Sequence, residues 1–171
     1  MDAITLLRTE AEWSHQEFDM TTADVTAEVA HRAPMGNAGS IASSMAHAIV
    51  AEDSIIQGMM QGKPPLYAST FQGKTGVSDP QFMNAPEWVK SVKIDMNQFR
   101  TYAAAVAAAT DAYIASLSEA DLDKPHDLSQ MGMGSRSTGW MLAALVTGHL
   151  HDLTGEISAI KGSHGLKGYP F

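Results

Sequence analysis

Four long segments of this chain repeat their apolar residues at the spacing of an α-helix, and two of them carry a second stripe of small residues. In the last segment, from about Thr138 to Lys161, the apolar stripe is Leu142, Val146, Leu150, Leu153, Ile157 and Ile160. Its other side carries Ala144, Gly148, Gly155 and Ala159. In the second segment, from Asn37–Ser40 to about Gly62, Ile41, Met45, Ala48, Ile55 and Met59 lie opposite Ser40, Ser43, Ser44, Ala51, Ser54 and Gly58. A helix with both kinds of stripe is covered on two sides, since large residues fill a core and small ones let a second helix approach closely. The pattern predicts helices packed among helices.

The remaining two segments agree. Ile4, Leu7, Ala11 and Phe18 predict a helix over residues 3–19, flanked by Trp13. Met96, Phe99, Ala103, Val106, Tyr113, Ile114 and Leu117 predict another from Asp95 to about Leu117, with Gln98 completing a capping box at its start. A short helix is expected after Thr21, taken as its cap with Asp24 three residues on, ending near Arg32 before Pro34 and Gly36. Residues 63–93 are irregular, apart from short starts at Asp79-Pro80 and Pro86-Glu87-Trp88. A loop of that length in a compact domain usually covers something or carries function. The loop with Gly132-Met133-Gly134 shows no hairpin signal. The expectation is one all-α domain over residues 1–171, a four-helix bundle with one long crossover.

Composition narrows the functional classes. The chain has 171 residues, 44% hydrophobic and 18% charged, with a formal net charge of −8. Its 11 basic residues are scattered apart from Lys90/Lys93 and Lys161/Lys167, so nucleic acid is not an expected partner. There are no cysteines, which excludes disulfides, thiolate–metal sites and a cysteine nucleophile, and fits a cytoplasmic protein. No signal peptide is expected from Met1-Asp2-Ala3-Ile4, and no run reaches the ~18 apolar residues of a membrane span.

Of the seven histidines, His47 and His149 carry the chemistry worth following. His149 lies on the apolar side of the last helix, one turn from Leu145 and Leu153, and His47 lies along the small-residue stripe of the second. Glu52 interrupts an apolar stripe, where an unpaired carboxylate is costly to bury, and Glu156 projects in a similar direction to His149 two turns earlier. Two histidines and up to two carboxylates from two helices suit a divalent metal. Buried polar groups hydrogen-bonded between helices are the competing reading. Glu12-x-x-His15 and Glu28-x-x-His31 match the spacing of di-iron carboxylate proteins, but the second falls on a short helix beside a proline loop. Both are expected to be solvated surface pairs. His151 is expected to point away from His149 into solvent, and His126 and His164 fall in loops.

The run Ser40-Ile41-Ala42-Ser43-Ser44-Met45-Ala46-His47-Ala48-Ile49-Val50-Ala51-Glu52-Asp53 resembles the second-helix signature of the DinB-like (DinB/YfiT) superfamily. Gly148-His149-Leu150-His151-Asp152-Leu153-Thr154-Gly155-Glu156-Ile157 resembles its last-helix signature. Trp13, Glu17 and the closing Gly165-Leu166-Lys167-Gly168-Tyr169-Pro170-Phe171 extend the likeness over nearly the whole chain. The resemblance implies a four-helix bundle, often a homodimer, with nickel or zinc held by one histidine of the second helix and an i, i+4 pair of the last. Some members are transferases or isomerases that use low-molecular-weight thiols; many have no established activity. His47 matches the first ligand and His149 the second, while the third position is Leu153, which cannot ligate. A replacement would have to come from Glu52, Glu156 or the long loop. The expectation is a thiol-dependent transferase with an incomplete metal site, or else a non-catalytic dimeric small-molecule-binding or stress-related bundle without tight metal.

Overall fold

The computed structural model describes residues 1–34 and 36–171. Helices begin where a short polar side chain takes up a free backbone N–H, worth about 1 kcal/mol at each start. The Asp2 carboxylate accepts from Thr5 N–H and starts α1 (Ala3–Thr22), and Thr26 starts the short α2 (Ala27–His31). Ser40 caps α3 (Ile41–Asp53), which runs on as a wider π-helical stretch, Ser54–Met60. Pro86 occupies the first turn of α4 (Pro86–Ser91), where its missing N–H costs nothing, and Asp95 caps α5 (Met96–Ala115). Ser137 caps α6 (Thr138–Trp140), which continues through a second π-helical stretch, Met141–Gly148, into α7 (His149–Ser163).

Three local expectations need correction. Thr21 does not cap a helix: α1 continues through it, and the Thr22 hydroxyl bonds back to the Phe18 carbonyl at 2.9 Å. The cap of α2 is Thr26, five residues later. Asp95 does cap α5, but its own N–H goes to the Gly76 carbonyl at 2.7 Å rather than into a box with Gln98. The Gly132–Gly134 loop closes a small antiparallel hairpin of β1 (Pro125–Asp127) and β2 (Ser135–Ser137).

The protein is mostly helical. α1 packs on α5 and α7, and α3 packs on the same two helices. Two apolar clusters fill the interior. One holds Phe18, Met45, Ile49, Phe99, Val106 and Leu150; the other holds Ala11, Ile55, Ile114, Met141, Leu142 and Val146. Between them each long helix places polar residues: Ser14 and His15 on α1, Glu52 and Asp53 on α3, Thr110 on α5 and Thr147 just before α7.

This polar level also anchors the segment between α3 and α5. Asp53 is 1% exposed, and its carboxylate accepts from Leu66 N–H at 2.9 Å, Tyr67 N–H at 3.0 Å and the Tyr102 hydroxyl at 2.8 Å. Burial raises the Asp53 pKa, and these donors partly counter it. Farther along, Trp88 Nε1–H donates to the Asp79 carbonyl at 2.7 Å, and Val77 bridges Ile94. Backbone N–H groups that leave solvent need partners, and the carboxylate supplies them for half-buried Leu66 and Tyr67. No helix among the described residues is long and apolar enough to cross a membrane.

Gly76 makes the closest fit where this segment meets α5. Its φ is +74°, and an added Cβ would lie 2.5 Å from Phe99 N and 2.6 Å from the Asp95 carbonyl oxygen. Gly73 has a similar φ of +70° with open space around it. In urea denaturation Gly73→Ala should cost about 1–2 kcal/mol and Gly76→Ala more than about 3 kcal/mol. Equal losses would contradict this docking.

Candidate functional site

Every residue of α3 is buried except His47. The exposed part of its ring faces a cavity of about 230 Å³ that is also lined by Ser43, Ser44, Asn84, Leu153 and Glu156. Its Nδ1 is inaccessible to solvent and has no hydrogen-bond partner. A buried polar atom left in that state costs about 1–3 kcal/mol, so the fold carries an unused coordinating or accepting atom here. His149 stands at the first position of α7, directly after the π-helical stretch. Stretches of that kind recur at functional sites. The two rings touch edge to face, with centroids 5.0 Å apart and planes at 85°.

Both rings are neutral near neutral pH. Burial, with help from the neighbouring His149, lowers the His47 pKa to about 4. Burial also lowers that of His149, against the pull of Asp152 and Glu52. Neutral imidazoles are the form that ligates metals and accepts protons.

Glu52 does not complete this pair. It is 2% exposed, and its carboxylate faces α1 and α5. It accepts from His15 Nε2–H at 2.9 and 3.1 Å and from the Thr110 hydroxyl at 2.5 Å. The other His15 nitrogen, Nδ1, donates to the Ala11 carbonyl at 2.6 Å. Both ring nitrogens thus meet acceptors, which is the arrangement of an imidazolium. Burial opposes that charge, but the Glu52 carboxylate outweighs it and the His15 pKa is raised. The partner Glu52 required is therefore His15, and Glu12-x-x-His15 is not a solvated surface pair.

The other candidates sort by the same contacts. Glu156 is exposed at the mouth of the His47 cavity, and Leu153 lines that cavity where a third histidine would stand. His151 is not free in solvent: its Nδ1 bonds Glu17 at 2.6 Å and ties α7 to α1. His31 accepts the Ile94 N–H at 3.0 Å, so the second Glu-x-x-His match is structural too. His126 meets the Thr138 hydroxyl at 2.8 Å. Lys161, read from sequence as part of a basic concentration, is 2% exposed and binds the Thr21 carbonyl at 2.6 Å and Asp24 at 2.5 Å.

The donor set fits a divalent ion in part. Two imidazoles sharing a tetrahedral ion through bonds of about 2.0–2.1 Å have ring centres roughly 5 Å apart, close to the separation here. No group of three or more His, Cys, Asp or Glu side chains that could hold a metal occurs among the described residues. His47 and His149 are two imidazoles in edge-to-face contact, a pair of potential donors and not a closed metal site among the described residues.

The His15–Glu52 pair has a testable pH signature. Because folding raises the His15 pKa above its ordinary value of 6.5, the stabilisation is complete below that value and fades as pH rises through the folded one. Glu52→Gln should cost about 3–5 kcal/mol near pH 6 and clearly less near pH 9. Chemical denaturation across that range measures it, and a pH-independent cost would contradict the pairing.

Comparison with known proteins bears on the fold and the family. A structure of a conserved protein from Enterococcus faecalis aligns with a TM-score of 0.78 at 20% identity, over 96% of this chain and 99% of that one, which speaks to the fold alone. No curated protein sequence matches. The model of the DinB superfamily matches residues 10–154, which hold both His47 and His149, and the chain belongs to that superfamily.

Proposed function

We propose that this chain is a small-molecule-binding DinB-superfamily protein with its working centre at the His47–His149 pair. Its helices are read as a four-helix bundle, with the segment from Lys63 to Asp95 as the long crossover. The observation that carries the reading is the solvent-inaccessible, unpartnered His47 Nδ1, held against a second neutral imidazole at a cavity. A divalent ion, nickel or zinc, would be held by His47 and His149 and would stabilise a thiolate or polarise a bound carbonyl. With two protein ligands such an ion would be held weakly, and a low-molecular-weight thiol would supply a further donor. Thiol-dependent transfer is the reaction class this arrangement suits. Ser43, Ser44 and Asn84 would orient the bound molecule by hydrogen bonds, and neutral His47 can accept a proton.

Two features favour a second reading, a non-catalytic binding protein without tight metal. Leu153 stands where a third ligand would be, and Glu52 is committed to His15 and Thr110.

Equilibrium dialysis of untagged protein against Ni²⁺ or Zn²⁺, with and without a low-molecular-weight thiol, separates the two. The first reading expects near-stoichiometric metal with the thiol, much less without it, and loss in both His47→Ala and His149→Ala. Leu153→His should bind the ion without thiol, at least about 10-fold more tightly than the parent chain. Absence of metal from the wild type under both conditions leaves the second reading.

A further inference from the structure

The His47 cavity borders a larger one. A second cavity, of about 610 Å³, shares five lining residues with it: Asn37, Ala38, Gly39, Asn84 and Val89. It extends over the loop before α3 and along α4, and reaches Lys90 and Lys93. The two cavities differ in charge. The larger, outer cavity has both lysines and no acidic side chain among its described lining residues, in a chain of net charge −8. Among its described lining residues the inner cavity has Glu156 as its one acidic group and no Lys or Arg; the remaining polar groups are hydroxyls, amides, the Trp88 indole and the His47 ring. Lys90 lies 3.8 Å from Glu87 in an exposed, loose pair, and Lys93 has no ion-pair partner among the described residues. His31, at the outer end, already holds the Ile94 N–H and the Ala27 carbonyl and is not free for a ligand.

Such a distribution selects by shape and by charge. An anionic group placed at the inner end would meet Glu156, whereas at the outer end it meets two ammonium groups. The walls between are Ala38, Gly39 and Val89, with the Asn37 and Asn84 amides, and suit a chain that is partly apolar and partly hydrogen-bonding. We propose that the two cavities together take an elongated small molecule with an anionic group, a phosphate or a carboxylate, at Lys90 and Lys93 and an uncharged polar or thiol end at Ser43, Ser44 and His47. The inner half of this assignment rests on the function proposed above, while the outer half stands on the lysines alone.

Two thiols that differ only at one end test it: 4′-phosphopantetheine and pantetheine. Calorimetry should show phosphopantetheine binding at least about 5-fold more tightly at low salt, with the difference narrowing as salt rises. Lys90→Gln/Lys93→Gln should remove that difference, and His47→Ala should weaken both ligands alike. Inorganic phosphate, followed by NMR, should shift the Lys90 and Lys93 amides in the wild type. Equal affinity for the two thiols, or a preference that survives in the lysine variant, would overturn the proposal. Phosphate shifts at Lys90 and Lys93 without any binding of either thiol would keep the anion site and sink the function assigned to the histidines. Absence of both thiol binding and phosphate shifts would overturn the inference outright.

Discussion

Two adjacent buried carboxylates, Glu52 and Asp53, set the terms for the rest of the structure. Taking two acidic groups out of water at the end of one helix costs several kcal/mol unless each is given close donors. Adjacent residues on a helix point in different directions, so the donors come from different elements. Glu52 draws His15 from α1 and Thr110 from α5. Asp53 draws Tyr102 from α5 and the Leu66 and Tyr67 N–H groups from the segment that follows. One polar level thereby fixes the register of α1, α3 and α5 and pins the connection between α3 and α5. The apolar clusters above and below it supply most of the burial, but apolar packing tolerates sliding in a way that a charged pair does not.

That arrangement decides the character of the histidine pair. Glu52 could have been the carboxylate that charges or orients His149. Its oxygens are taken by His15 and Thr110, and the positive charge it stabilises lies on His15. His47 and His149 are left neutral, in contact, and with one nitrogen unused. The exposed part of His47 then gives the inner cavity its imidazole, beside hydroxyls, amides and one carboxylate among the described lining residues. Charge separation within a few helical turns is the physical basis for reading His15 as structural and for the proposal that His47 and His149 form the working centre.

Much of this was legible in the sequence. The four helical stretches follow from apolar spacing, and the small-residue face of α3 correctly signalled burial on two sides, since only His47 escapes it. His47 and His149 also meet, as their places on two helices suggested. Glu52 was recognised as needing a partner, but its partner was not found. The signal was present: His15 stands between Ala11 and Phe18 on the α1 stripe, and Thr110 between Val106 and Ile114 on the α5 stripe. Reading these interruptions together would have shown a polar level. The cap of α2 was misplaced because Thr21, Thr22 and Thr26 are chemically equivalent as caps, and packing decides which of them leaves the helix. Lys161 reads as part of a basic concentration with Lys167 because sequence does not show that the α1 C-terminus passes beside it. The π-helical stretch before His149 has no sequence signature of its own.

The central claim is that Glu52 spends its charge on His15 and leaves the His47–His149 pair neutral. Long-range ¹H–¹⁵N NMR of the histidine rings tests it directly, because ring nitrogen shifts distinguish imidazole from imidazolium. The account predicts that at about pH 6 His47 is neutral, and that His15 is still doubly protonated above its ordinary value of 6.5. A charged His47 beside a neutral His15 at that pH would contradict it.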